Sequence, residues 1–118
     1  MSLRLKKIES MLKEELSLVF LQKLKDPVFG VITITDVKVS PDIKSAKVYV
    51  SVYEKEKRKE VLAKLNNVKK MVRTEIAHKV RMKHTPELNF FIDETLDYVD
   101  RMENLFKEIN KDDNQETD

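Results

Sequence analysis

Between residues 31 and 53 apolar side chains recur at every second position in two separate stretches, while on either side they recur at every third or fourth. A period of two belongs to a strand buried on one face, and a period of 3.6 to an amphipathic helix. In the first stretch Val31, Thr33, Thr35, Val37 and Val39 alternate with Ile32, Ile34, Asp36 and Lys38, and the many β-branched side chains suit extended backbone. Ser40-Pro41-Asp42 supplies turn chemistry, after which Ala46, Val48, Val50 and Val52 alternate with Lys47, Tyr49, Ser51 and Tyr53. An antiparallel hairpin is the expected product.

Upstream, Leu5, Ile8, Leu12, Leu16, Val19 and Phe20 are spaced for a helix from about Leu3 to Lys25, which Asp26-Pro27 and the single glycine, Gly30, bring to an end. Downstream, Val61, Leu65, Val68, Val72, Ile76 and Val80 form a second helical stripe. In one continuous helix Lys69 would project into that buried stripe, a costly place for an unpaired charge, so a kink near Asn67 is expected. His84-Thr85-Pro86 closes the helical run, Leu88, Phe90 and Ile92 alternate as a third strand, and Leu96, Val99, Met102, Leu105, Phe106 and Ile109 describe a last amphipathic helix. Residues 111–118 contain no apolar side chain and are expected to be a disordered acidic tail to a single domain over 1–110.

The chain has no cysteine, which excludes disulfides, thiolate zinc sites and redox nucleophiles. The segment Met1 to Lys7 alternates charged and apolar residues and lacks the apolar run of a signal peptide or membrane span, so a cytoplasmic protein without membrane contact is expected. Its net charge of +2 conceals a division. Residues 1–91 hold 20 Lys and Arg against 11 Asp and Glu, a surplus of +9, whereas residues 92–118 hold 3 against 10, or −7. Such a basic body with an acidic end suits a polyanion, nucleic acid above all, although a solvated surface with a solubilising tail has the same composition.

Where the polyanion would lie follows from spacing. Asn66, Lys70, Arg73, Ala77 and Arg81 follow one another at three and four residues, which puts three cations on one helical face away from the apolar stripe. Arg suits bidentate phosphate contact and Lys acts as a point charge. The competing reading is an ordinary solvated face. His78 and His84 have no third ligand nearby, so no metal site is expected; His84 reads as a helix-terminal residue, and either histidine could stack on a base or contact solvent. Asp93, Glu94, Asp97 and Asp100 resemble an acidic cluster, but acids at a helix start complement its dipole. Tyr49 and Tyr53 share a strand face, either as a stacking platform or as packing residues. The five methionines are scattered and imply no cofactor.

Helix, strand, strand, helix, kink, helix, strand is an α+β order matching a type II KH-like fold (α-β-β-α-kink-α-β) with an additional C-terminal helix. KH domains usually clamp RNA backbone with a GXXG loop, which is missing here. Asp26-Pro27, the run from Val31 to Ser40, Ala46 to Ser51, Arg73, Val80-Arg81-Met82, Pro86-Glu87-Leu88-Asn89-Phe90 and Asp93 together resemble the ribosome-binding factor A family, over about Leu3 to Ile109. The resemblance implies a bacterial assembly factor, not an enzyme, that binds the small (30S) ribosomal subunit and assists late maturation of the 16S rRNA precursor. It implies no cofactor, and a monomer is expected off the ribosome. In that family an Ala-x-Gly kink replaces the KH loop; the matching positions here are Asn67, Val68 and Lys69, and Val28 stands where arginine is common. The expected RNA-binding residues are Arg4, Lys6, Lys7, Lys69, Lys70, Arg73, Arg81 and Lys83. The alternatives are a generic KH module for other cellular RNAs, and a small hydrolase or nuclease using His78 and the acidic cluster. The second of these lacks a phosphate cradle and a paired nucleophile.

Overall fold

A computed structural model describes residues 3–95 and 101–107 of the protein. Helix α1, Leu3–Lys23, contains no glycine or proline, and buries Leu12, Leu16, Val19 and Phe20 on one side. It stops two residues short of the expected Lys25, with the Leu24 N–H donating to Phe20 O at 3.1 Å. A 3-10 turn, Pro27–Phe29, follows, started by Asp26, whose Oδ1 accepts from the Val28 N–H at 3.0 Å. Asp26 also pairs with Lys64 of the second long helix, and that bond, then the one from Val28, holds its carboxyl below the usual range. Gly30 leaves the turn at φ 53°, a left-handed conformation that glycine adopts without steric cost.

Strands β1, Ile32–Val39, and β2, Ser45–Val52, form the expected antiparallel hairpin, from Ile32 opposite Val52 to Val39 opposite Ala46. A bulge interrupts the register between Ile34 and Asp36. It changes which side chains face the core. Ile34 is buried before the bulge, and Val37 and Val39 after it, so the buried positions switch from even to odd.

Helix α2, Arg58–Lys79, then carries the chain back so that β3, Glu87–Ile92, lies parallel to β2 in a sheet of order β1-β2-β3. A parallel pair requires such a crossover, because its strands begin at the same end of the sheet. Both helices cover one face: α1 packs on β1, α2 on β3, and the helices on each other. The core between them holds Leu12, Leu16 and Val19 from α1, Val61, Leu65, Val72 and Ile76 from α2, and Val48, Val50 and Leu88 from the sheet, with Phe20 and Phe90 tilted at 6.1 Å between ring centroids. The edge strand is tied down by Glu9, whose Oε2 accepts the Val39 N–H at 2.8 Å. Among the described residues no polar or charged residue is buried.

The helical run expected to divide near Asn67 is not divided. Helix α2 runs unbroken through Asn67, Val68 and Lys69, giving one helix where two were expected. The conflict at Lys69 is resolved by the side chain instead: half-buried, it carries its ammonium to the edge of β3, where Nζ donates to Asn89 Oδ1 at 3.4 Å. A lysine stem can lie along apolar surface while its head escapes, and with no glycine or proline in the segment nothing forces a break. The result is an α+β fold, a three-stranded sheet with two helices on one face.

Residues 101–107 are helical and all exposed, Met102, Leu105 and Phe106 among them. The remainder of the expected last helix, including Asp97 and Asp100, and the tail 111–118 lie outside the described residues. Among the described residues no helix is long and apolar enough to cross a membrane.

Candidate nucleic-acid interface

Val80 ends α2 by turning to extended backbone at φ −120° and ψ 126°, while its N–H still donates to Ile76 O at 2.9 Å. The linker to β3 therefore alternates: Val80 is buried and Met82 half-buried, whereas Arg81 and Lys83 are exposed. Arg73 of α2 fixes the far end of this linker by donating from Nη2 to Thr85 O at 2.7 Å.

The linker meets two other segments around a cavity of about 450 Å3. The first turns of α1 contribute Arg4, Ile8 and Met11, the β1–β2 turn Asp42, Ile43 and Lys44, and the linker Arg81 through His84. Ile8, Met11, Ile43 and Met82 are half-buried against the core and make an apolar floor. Arg4, Lys44, Arg81 and Lys83 stand around it as exposed cations, and among the described residues none of the four enters an ion pair. Among the described residues the one carboxylate in its lining is Asp42. Hydrogen bonds from the Ser40 hydroxyl at 2.6 Å and the Lys44 N–H at 3.1 Å, in that order of effect, hold its pKa below the ordinary value. Cations at the mouth can take phosphate oxygens while the floor takes a flat apolar group.

The expected site residues fall into separate places. Arg4, Arg81 and Lys83, distant in sequence, come together at the cavity. Arg81 is not on the face of α2 with Lys70 and Arg73, because the helix ends at Lys79. Lys70 and Arg73 remain on that exposed face, and Lys69 sits at the edge of β3. Lys6 lines a small cleft with Lys13, Glu9 and Asp36, where acids offset the positive charge. Lys7 is exposed on α1.

Lys44 stands outside the expected RNA-binding set, and His84 is open in sequence to either base stacking or solvent; only the packing of three segments brings both to the cavity. The open sheet face carries an aromatic pair, Tyr49 stacked on Phe91 with 5.6 Å between centroids, their positions being opposite in the β2–β3 register. Tyr53, 81% exposed beyond the end of β2, is not part of it. Among the described residues no three His, Asp, Glu or Cys side chains are grouped to hold a metal ion.

Residues 4–106 match the sequence pattern of the family described as ribosome-binding factor A. The chain is 43% identical over 107 residues to ribosome-binding factor A of Brevibacillus brevis, spanning 90% of this chain and 88% of that one. It is 44% identical over 108 residues to that of Thermodesulfovibrio yellowstonii, spanning 92% of each. Similar solved structures include the crystal structure of ribosome-binding factor A from Thermus thermophilus, with a TM-score of 0.67 and 28% identity over 75% of this chain and 94% of that one. A homology model of the Thermus thermophilus factor, fitted into the cryo-EM map of its complex with the 30S subunit, superposes with a TM-score of 0.66 and 28% identity over 75% of this chain and 93% of that one. The solution NMR structure of a Thermotoga maritima protein described as a putative ribosome-binding factor A has a TM-score of 0.66 and 36% identity over 75% and 86%. With its pattern matched across residues 4–106 and relatives above 40% identity over nearly its whole length, this chain belongs to the ribosome-binding factor A family.

Proposed function

We propose that the protein binds the small ribosomal subunit in the cytoplasm, as a monomer, and assists late maturation of the 16S rRNA precursor without catalysing a reaction itself. The observation that carries this reading is the convergence of Arg4, Lys44, Arg81 and Lys83, all without ion-pair partners among the described residues, on one cavity of a ribosome-binding factor A family member. The relative placed in a 30S map supports the choice of subunit. The order α-β-β-α-β with β3 parallel to β2 supports kinship with type II KH domains. RNA contact runs through side chains here, because the continuous α2 has no glycine that would let backbone approach a phosphate. Lys70 and Arg73 extend the surface along α2.

Co-sedimentation with small subunits tests this. Charge reversal of Arg4, Arg81 and Lys83 together should abolish co-sedimentation at moderate salt, and binding by the parent should weaken steeply as salt rises, since phosphate contacts release counterions. A triple variant that sediments with subunits as well as the parent does would refute the surface. RNA recovered with the tagged chain should be dominated by 16S precursor. Recovery of diverse short transcripts instead would favour a generic KH-type module.

A further inference from the structure

The cavity is built for something flatter and less polar than a phosphate chain. A phosphate-tracking surface needs only exposed cations, yet here the cations ring a depression of about 450 Å3, within the roughly 300–1,000 Å3 range of small-molecule sites. Its floor is two isoleucines and two methionines, and methionine is polarisable and adapts its shape to an aromatic ring. The His84 ring and the guanidinium planes of Arg4 and Arg81 at the wall are groups on which bases stack.

The β1–β2 turn adds an independent sign. Ile43 has φ 61°, a left-handed conformation that is strained for a β-branched residue and relaxed for glycine or asparagine. The turn holds it there through the Ile43 N–H to Ser40 O at 2.8 Å, the Ser40 N–H to Ser45 O at 2.9 Å and the Asp42 contacts. A strained residue held in place by its surroundings points to a use for its side chain, and this one forms part of the cavity floor.

We infer that the cavity receives one unstacked nucleobase of a single-stranded RNA segment, its flanking phosphates lying on Arg4, Lys44, Arg81 and Lys83. The inference rests on the RNA-binding reading above and narrows it from a charged surface to a base pocket. The Asp42 carboxylate is an acceptor at the wall, so bases bearing an amino group, adenine, guanine and cytosine, fit better than uracil.

The methionines provide the test. With methyl-labelled methionine in the full chain, Met11 and Met82 report on the cavity, and Met71, on α2 away from it, serves as the internal control. The probes are a single-stranded adenine hexaribonucleotide, a hexamer of the same backbone without bases, and a duplex of equal phosphate number. The single strand should move the Met11 and Met82 resonances by ring-current shift and leave Met71 in place. Removing the bases should abolish those shifts and weaken binding roughly tenfold. Filling the cavity by Ile8→Trp, which leaves every charge in place, should remove the preference for the hexamer with bases; a melting curve with an unchanged transition establishes that the variant is folded, and Met11→Phe provides a second filling variant. Equal shifts with the abasic hexamer or the duplex would overturn the pocket. Co-sedimentation with small subunits while Met11 and Met82 stay unmoved by the single strand would overturn the pocket and leave the RNA-binding reading standing. Failure to bind subunits at all would bring down that reading itself.

Discussion

Asp93 shows how one side chain joins distant parts of this fold. It follows the end of β3, yet its Oδ2 accepts from Thr35 Oγ1 at 2.6 Å, at the bulge of β1, and its Oδ1 from the Thr95 N–H at 2.9 Å. These bonds, Thr35 first, hold its carboxyl below the usual range because they favour the ionised form. The sequence places Asp93 in an acidic cluster at a helix start; the structure makes it a strap across the end of the sheet. A carboxylate with a depressed folded-state pKa contributes stability that is complete above its unfolded value, near 3.9, and is lost as pH falls through the folded value. Asp93→Asn should therefore be less stable than the parent at pH 7 by about 1 kcal/mol, less than the roughly 1.5–3 kcal/mol of bonds to an ionised group because solvent screens this one. In urea titrations across pH the difference should shrink below about pH 4. A difference that stays constant down to pH 2 would remove the ionised carboxylate from the account.

At the scale of elements the continuity of α2 is the sharpest departure from what periodicity suggests. Asn67 is exposed in the middle of a 22-residue helix, where asparagine is a poor helix former. Asn67→Ala should accordingly raise stability by about 0.6 kcal/mol, measured by thermal or urea unfolding. No gain, or a loss, would mean that this position is not held helical. The stripes of α1 and α2 were legible because their spacing is what burial requires: Leu12, Leu16, Val72 and Ile76 are each fully buried. Lys69 misled because a spacing argument treats a side chain as a direction, whereas a lysine is long enough to leave the direction its Cβ sets. The bulge is written into the strand beneath its apparent alternation. Ile34 and Val37 are three apart, and both can face the core only if one residue is inserted between them.

On the scale of the whole molecule, legibility declines where function depends on segments meeting. Arg4, Arg81 and Lys83 can be recognised as cations from sequence, but their common cavity exists only once α1, the β1–β2 turn and the linker after α2 are packed together. Spacing places Arg81 on a helix that in the structure ends before it. The division of charge, by contrast, is entirely a property of the sequence, and it carries a consequence for binding. Residues 111–118 hold one lysine and four acids, so their deletion changes the net charge from +2 to +5. Like charge repels RNA at a distance set by the Debye length, about 8 Å at physiological salt and 30 Å at 0.01 M. The truncated chain should thus bind a non-specific RNA duplex several-fold more tightly than the full chain at 0.01 M salt, through faster association, and the gain should fade by about 0.5 M. Fluorescence anisotropy and stopped-flow mixing with a labelled duplex read both quantities. Equal affinities at low salt would show that the acidic end does not screen the basic body, and a gain that persists at high salt would mean that the segment covers the binding surface by direct contact.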